Sequence, residues 1–155
     1  MPIPDHPRPG REYPSSPVAG VAAVVLRNDE ILLIRRGREP MLGAWSLPGG
    51  ALELGETSAE GAAREVFEET GLHVRPAAVI TSIDRIHRDE TGRVQYHYVL
   101  VEWLCFAEDK PEPTPGDDAA EARWVHRDQL ADYNLGESTR SVIHQALRLA
   151  ETIQR

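Results

Sequence analysis

The stretch "LPGGALELGETSAEGAAREVFEETGL", Leu47 to Leu72, decides how this chain is read. Its second half is a helix with both ends marked. Thr57 and Glu60 stand at the spacing of a capping box, and Gly71 sits where a left-handed C-terminal cap favours a residue without a Cβ. At about 100° per residue, Ala59, Ala62, Ala63, Val66 and Thr70 share one side, with Phe67 at its margin, and that side faces the core. Glu65, Glu68 and Glu69 fall together on an adjoining side, because i, i+3 and i+4 are neighbours on a helix. Helix stability asks for none of them. Like charges at these spacings cost a few tenths of a kcal/mol per pair. Anions in the last turn oppose the macrodipole by about 0.3–1 kcal/mol each. A solvated acidic face is the ordinary reading of such a cluster. A divalent cation reverses the argument, because Mg²⁺ and Mn²⁺ prefer the oxygen ligands that clustered carboxylates supply. The first half adds Gly49 and Gly50, where the backbone can turn sharply, approach a ligand closely or offer a carbonyl.

Working outward, "VAGVAAVVLRNDEILLIRR" has two apolar runs flanking the polar turn Arg27-Asn28-Asp29-Glu30, the signature of a hairpin. Val21 to Leu26 are apolar at every position and are expected to be buried on both faces. Beyond the helix, "AAVITSIDRIHR" and "VQYHYVLVEWLCF" are strand-like and joined by "DETGR". The proline-rich "AEDKPEPTPGDDAAE" reads as a surface loop, "ARWV" as a short strand, and "SVIHQALRLAETI" as a closing amphipathic helix that packs through Val142, Ile143, Ala146, Leu147 and Leu149. Residues 1–17 hold half of the 12 prolines and are expected to form a flexible arm ahead of a single domain, residues 18–155. Strands around one central helix, with a second helix at the end, give an α/β (α+β) fold: an α/β/α sandwich around a mixed sheet.

Composition narrows the function. At 155 residues the chain suits one domain with a substantial core. A formal net charge of −8 argues against partners such as nucleic acid or an anionic membrane, which are bound through basic patches. A small anionic substrate would need a cation to bridge it to this protein. The single cysteine, Cys105, forms no internal disulfide and is expected in the core. No apolar run approaches the roughly 18 residues of a membrane span, and the N-terminus lacks the apolar core of a signal peptide, so a cytoplasmic location is the expectation.

Gly50, Glu56, Arg64-Glu65-Val66, Glu68-Glu69 and Gly71-Leu72 occupy nine constrained positions over 23 residues and match every specified position of the Nudix box. The chain resembles the Nudix hydrolases over roughly residues 18–150, with "GAWSLPGG" and "EARWV" also similar to small bacterial members of the ADP-ribose pyrophosphatase-like subgroup. The resemblance implies a mostly curved sheet, and Mg²⁺ or Mn²⁺ held by Glu65, Glu68, Glu69 and the Gly49 carbonyl. It implies that Glu56 and Arg64 orient these glutamates and that Gly50 and Gly71 serve the backbone. The activity implied is attack of water on a nucleoside diphosphate linked to another group, and a homodimer is implied as the assembly. The general base stays open between Glu65 and Glu68 on the helix and Asp118 or Glu121 on the later loop.

Substrate choice falls outside the box. Arg35 and Arg36 could meet phosphate or base, Trp45 could stack on a base, and the segment carrying His87, Arg88, Arg93, Tyr96, His97 and Tyr98 could wall a ribose or base. Each also has an ordinary place as strand-end charge, core aromatic or alternating strand residue. His97 lacks a partner at metal-ligand spacing. Against the hydrolase stands a nucleotide-sensing binding module, which would show an eroded box or an added DNA-binding domain. Isomerisation of an isoprenoid diphosphate would want a catalytic cysteine, which Cys105 in its apolar run does not offer.

Overall fold

The computed structural model describes residues 11–38, 41–108, 112–116 and 118–153. The elements run β1 (Val18–Arg27), β2 (Glu30–Arg36), β3 (Trp45–Ser46), β4 (Gly49–Ala51), α1 (Ser58–Thr70), β5 (Val74–Arg88), β6 (Val94–Ala107), β7 (Ala119–His126), a 3-10 helix (Arg127–Tyr133) and α2 (Glu137–Ile153). The sheet follows the order β3-β2-β1-β6-β5, with β4 added to β1 and β7 to β2. β1 and β6 are parallel and the other pairs antiparallel, so the sheet is mixed.

β1 is central, and its apolar run is covered on both faces as its composition requires. Val21, Ala23 and Val25 pack with Ala62, Val66 and Leu72 on the α1 side, where Cys105 is also buried. Val24 and Leu26 pack with Val142, Ile143, Ala146 and Leu147 on the α2 side. The two helices therefore sandwich the sheet. Asn28 takes φ 55°, the left-handed conformation that a two-residue hairpin turn demands.

After the turn, β1 and β2 pair only at Leu26–Ile31 and Arg27–Glu30 and then part. β4 takes the vacated edge of β1 at Gly20–Ala22, while β3 and β7 flank β2. This split opens the sheet where the Leu47–Leu72 segment enters.

Several expectations shift. "ARWV" is the end of an eight-residue strand that starts directly after Asp118, and α2 starts at Glu137, ahead of its apolar stripe. Leu149 packs against the α2-side cluster as expected but stays half-buried, and Ala150 joins it fully buried. The 3-10 helix had no periodic signal; its start is capped by His126 Nδ1, which accepts from the Asp128 N–H at 3.1 Å. Residues 1–10 of the expected arm lie outside the described residues. Residues 11–17 run against the β5–β6 hairpin: the Tyr13 N–H donates to Gln95 O at 2.6 Å and its hydroxyl to Asp89 Oδ2 at 2.8 Å. Among the described residues, no helix is long and apolar enough to cross a membrane.

Candidate active site

β4 brings two glycines against α1. The backbone alternates, so Gly50 faces the helix and Gly49 the opposite side of the sheet. A Cβ on Gly50 would lie 2.5 Å from Glu65 Oε1, and one on Gly49 would lie 2.4 Å from Val21 O. A side chain at Gly49 would collide with the β1 backbone, and one at Gly50 would push the Glu65 carboxylate aside. The Gly49 N–H donates to Glu69 Oε2 at 3.2 Å, tying strand to helix. At the start of α1 the capping box is complete: the Glu60 N–H donates to Thr57 Oγ1 and the Thr57 N–H to Glu60 Oε1, each at 3.1 Å. At its end Gly71 takes φ 74° and donates to Phe67 O at 2.8 Å.

These constraints set the rotation of α1, and the glutamates separate. Glu65 and Glu69 are buried, 6% and 4% exposed, while the Glu68 side chain is 37% exposed. The solvated acidic face expected of an isolated helix is thus only partly realised. Ala62, Val66 and Thr70 are buried as their spacing requires, Ala59 and Ala63 are half-buried, and Phe67 is exposed beside the His73 ring.

Arg64 gathers the acidic groups. Its Nη2 donates to Glu56 Oε1 at 2.7 Å and to Ala51 O at 3.0 Å, and its Nη1 to Glu65 Oε1 at 2.9 Å and Glu68 Oε2 at 3.1 Å. The hydrogen bond from Arg64 holds the Glu56 carboxyl below the usual carboxylate range, and Glu56 in turn raises the guanidinium. Among these bonds none reaches Glu69. Burial pushes Glu69 up to about 9, the Glu65 charge adds to that shift, and the Gly49 N–H and Arg36 oppose it.

The segment before β7 closes over the end of α1. The Thr114 N–H donates to Thr70 O at 2.9 Å and the Gly116 N–H to Glu69 O at 3.0 Å, so two carbonyls the helix leaves unpaired are satisfied here. The proline-rich loop is therefore a cap on the helix as well as a surface. It carries Asp118 close enough to contribute to the raised Glu69 value. Arg38 Nε lies 2.9 Å from Asp118 Oδ1. Nothing in the sequence spacing linked Asp118 to Glu69.

On the α2 side, Arg35 pairs with Glu121 at 2.7 Å, and Arg123 joins Glu121 at 2.8 Å. Trp45 is half-buried, with its ring edge-on to Tyr133 at 5.1 Å and Arg123 over it at 5.0 Å. Arg36, one residue on from Arg35, lies on the α1 side with Glu69. Arg88 and Tyr96 are not brought to this site. They stand beyond Val18–Tyr98, where β1 ends and β6 pairs with β5 alone. At about 3.3 Å per residue, Tyr96 lies roughly 20 Å along β6 from the level of Gly49.

Among the described residues, no three or more acidic, histidine or cysteine side chains are already gathered around one point for a metal ion. The donor set nonetheless fits a hard divalent cation. Glu56, Glu65 and Glu68 share the one Arg64 guanidinium, and Glu69 lies outside its reach with the Arg36 charge nearby, so carboxyls outnumber cations in the cluster. Every donor is oxygen, the class that Mg²⁺ and Mn²⁺ take.

Residues 16–146 match the NUDIX domain family. The chain is 32% identical over 114 residues to an ADP-ribose pyrophosphatase of Methanocaldococcus jannaschii, covering 74% of this chain and 64% of that protein. It is 34% identical over 113 residues to a MutT-like protein of Streptomyces ambofaciens, covering 72% of this chain and 66% of the relative. The chain thus spans a little under two thirds of the length of both relatives. The crystal structure of a MutT NUDIX hydrolase from Burkholderia pseudomallei superposes with a TM-score of 0.70 at 30% identity, covering 84% of this chain and 98% of that one. With the box folded as loop, helix and loop against β4, this chain belongs to the NUDIX domain family.

Proposed function

We propose that this protein is a pyrophosphohydrolase that uses Mg²⁺ or Mn²⁺ to cleave a nucleoside diphosphate linked to another group, with ADP-ribose as the representative substrate. The observation that carries the reading is the placement of Glu65 and Glu69, buried against Gly50 and Gly49 with Glu68 beside them. Burying acids at the dipole-disfavoured end of a helix has no structural return, and it suits a site completed by a cation. The similarity to a protein named ADP-ribose pyrophosphatase supports the substrate class.

Glu65, Glu68, Glu69 and the Gly49 carbonyl would hold the ion. Bound there, it supplies positive charge against the pyrophosphate oxygens and acidity to the attacking water. The chain's own residues do the rest. Arg64 and Glu56 fix the glutamate rotamers. Arg36, on the Glu69 side, adds a positive charge for a phosphate. Asp118, whose charge acts on Glu69, would take the water's proton, with Glu65 and Glu68 on the helix as the other candidate bases. Water oxygen bonds to one phosphorus, the bridging oxygen leaves with the other, and the two protons of the water are released as both products become phosphate monoester dianions. ADP-ribose thereby gives AMP and ribose 5-phosphate.

Purified protein incubated with Mg²⁺ or Mn²⁺ and ADP-ribose, a dinucleotide polyphosphate or a nucleoside triphosphate should release a nucleoside monophosphate or pyrophosphate from at least one. No product from any member with either ion overturns the reading. Gly50→Ala is expected to lower kcat about 10²-fold, because its Cβ would lie 2.5 Å from Glu65 Oε1 and displace that carboxylate. A kcat unchanged in that variant would show that the Glu65 position is not used.

A further inference from the structure

β6 carries a buried acid that the proposed reaction does not use. Glu102 is 3% exposed, and its Oε2 has no hydrogen-bond partner. An unpaired buried acceptor gives up its hydration with no hydrogen bond in return. Burial pushes its carboxyl up to about 7, opposed by the charge of Arg85. It is the inward position of an alternating strand, on the same face as Leu104 and Phe106, where a core residue would be the default.

Its location relates it to the site. Glu102 pairs with Ala22 on β1, and Ala22 pairs with Gly49 on β4. A Cβ on Gly49 would meet the Ala22 Cβ at 3.0 Å, so this row shares one face, the α2 side. Two strand spacings, about 10 Å, separate Glu102 from Gly49. Across the gap where β1 and β2 part, Trp45 packs against the same α2-side cluster, and Arg85, from β5, donates to Ser138 Oγ in the first turn of α2 at 3.5 Å. An aromatic plane and an unsatisfied carboxyl thus stand on the side of the sheet opposite the α1 glutamates, linked to them through the Gly49–Gly50 strand. Ribose separates base from phosphates in a nucleotide by a comparable reach.

We propose that Glu102 is a specificity-determining residue that accepts a hydrogen bond from the exocyclic amine of an aminopurine, whose ring is flanked by Trp45 and whose phosphates lie at Gly49 and Gly50. The proposal rests on the reading of that neighbouring site as one for a nucleoside diphosphate derivative. A carboxyl can accept from the amine and, when it carries a proton, also donate to an adjacent ring nitrogen, the paired pattern by which side-chain amides read adenine. A base lacking the amine leaves Glu102 buried and unpaired.

The test is a binding measurement that needs no turnover. Calorimetric affinities, with Mg²⁺ present, are compared for AMP against purine riboside 5′-monophosphate and for GMP against IMP, each pair differing by one amino group. The wild-type protein should prefer the amino-bearing member of one pair roughly 10- to 100-fold. Glu102→Met and Glu102→Leu should bring that ratio to within about threefold of unity, whereas Glu102→Gln, which keeps an acceptor beside a donor, should retain it. Loss of an unpaired buried carboxyl should leave the folding of the two apolar variants intact, checked by circular dichroism. No preference in the wild type, or a preference retained in both apolar variants, overturns the proposal. Preference without cleavage of any diphosphate removes the hydrolase reading and leaves Glu102 its role; cleavage without preference does the reverse.

Discussion

Glu69→Gln is expected to lower kcat for pyrophosphate cleavage by roughly 10²- to 10³-fold while leaving the protein at least as stable as the wild type in the absence of metal. The two halves of this expectation come from one feature. Glu69 is 4% exposed and lies outside the hydrogen bonds of Arg64, and burial with the nearby Glu65 charge pushes it up to about 9. Near neutral pH it is therefore uncharged in the metal-free protein, and glutamine reproduces its shape and charge. The Gly49 N–H keeps an acceptor in the amide oxygen. What glutamine cannot do is ionise when a cation arrives. Thermal melts separate these effects: Mg²⁺ or Mn²⁺ should raise the midpoint of the wild type, since a ligand that binds only the folded state stabilises it, and should raise that of Glu69→Gln much less. A variant that keeps both the wild-type rate and the metal-induced rise would remove Glu69 from the metal site.

The same residue marks the limit of what the sequence makes legible. The helix caps, the hairpin at Asn28 and the doubly buried β1 follow from local rules, because each is decided by neighbours in the chain. The division of the glutamates does not. Periodicity places Glu65, Glu68 and Glu69 on one arc, but the closeness of Gly50 and the Gly49 hydrogen bond decide that Glu65 and Glu69 turn inward and Glu68 outward. Asp118 comes near enough to Glu69 to act on its charge because a proline-rich loop spends its N–H groups on the last carbonyls of α1, a contact between segments some forty-five residues apart. Arg88 and Tyr96 looked like a wall for the substrate because strand sequence carries no information on how far a hairpin overshoots its neighbours. Glu102 had a readable signal in the alternation of "VLVEWLCF", where an acid interrupts the inward series Leu100, Leu104 and Phe106. Its meaning needed the register that sets it level with Gly49.

Arg64→Met should be the most damaging single change to the fold of this segment, lowering stability by about 2–4 kcal/mol and the melting midpoint by roughly 5–15 °C. Arg64 is 20% exposed and supplies the cationic partner to Glu56, Glu65 and Glu68 in the hydrogen-bonded cluster. It also fills the Ala51 carbonyl at the end of β4. Methionine keeps much of the aliphatic packing and removes the charge, so the loss is electrostatic. Removing one partner of a buried ion pair costs about 3–5 kcal/mol because the other charge is left uncompensated. The Glu68 side chain is 37% exposed and is screened, which brings the figure down. Glu56, 14% exposed, is not screened to that degree, and the Arg64 hydrogen bond lowers its pKa. Mg²⁺ should restore part of the lost stability, because a cation can replace Arg64 at Glu65 and Glu68 but not at Glu56, which bonds to the Glu53 N–H on the loop side. Arg64→Lys should recover little, since one ammonium cannot reproduce a fork that binds Glu56, Glu65, Glu68 and the Ala51 carbonyl together. Thermal unfolding of the three proteins with and without metal measures each term. An Arg64→Met midpoint within about 2 °C of the wild type would show that the acids are held by the backbone and the glycines alone.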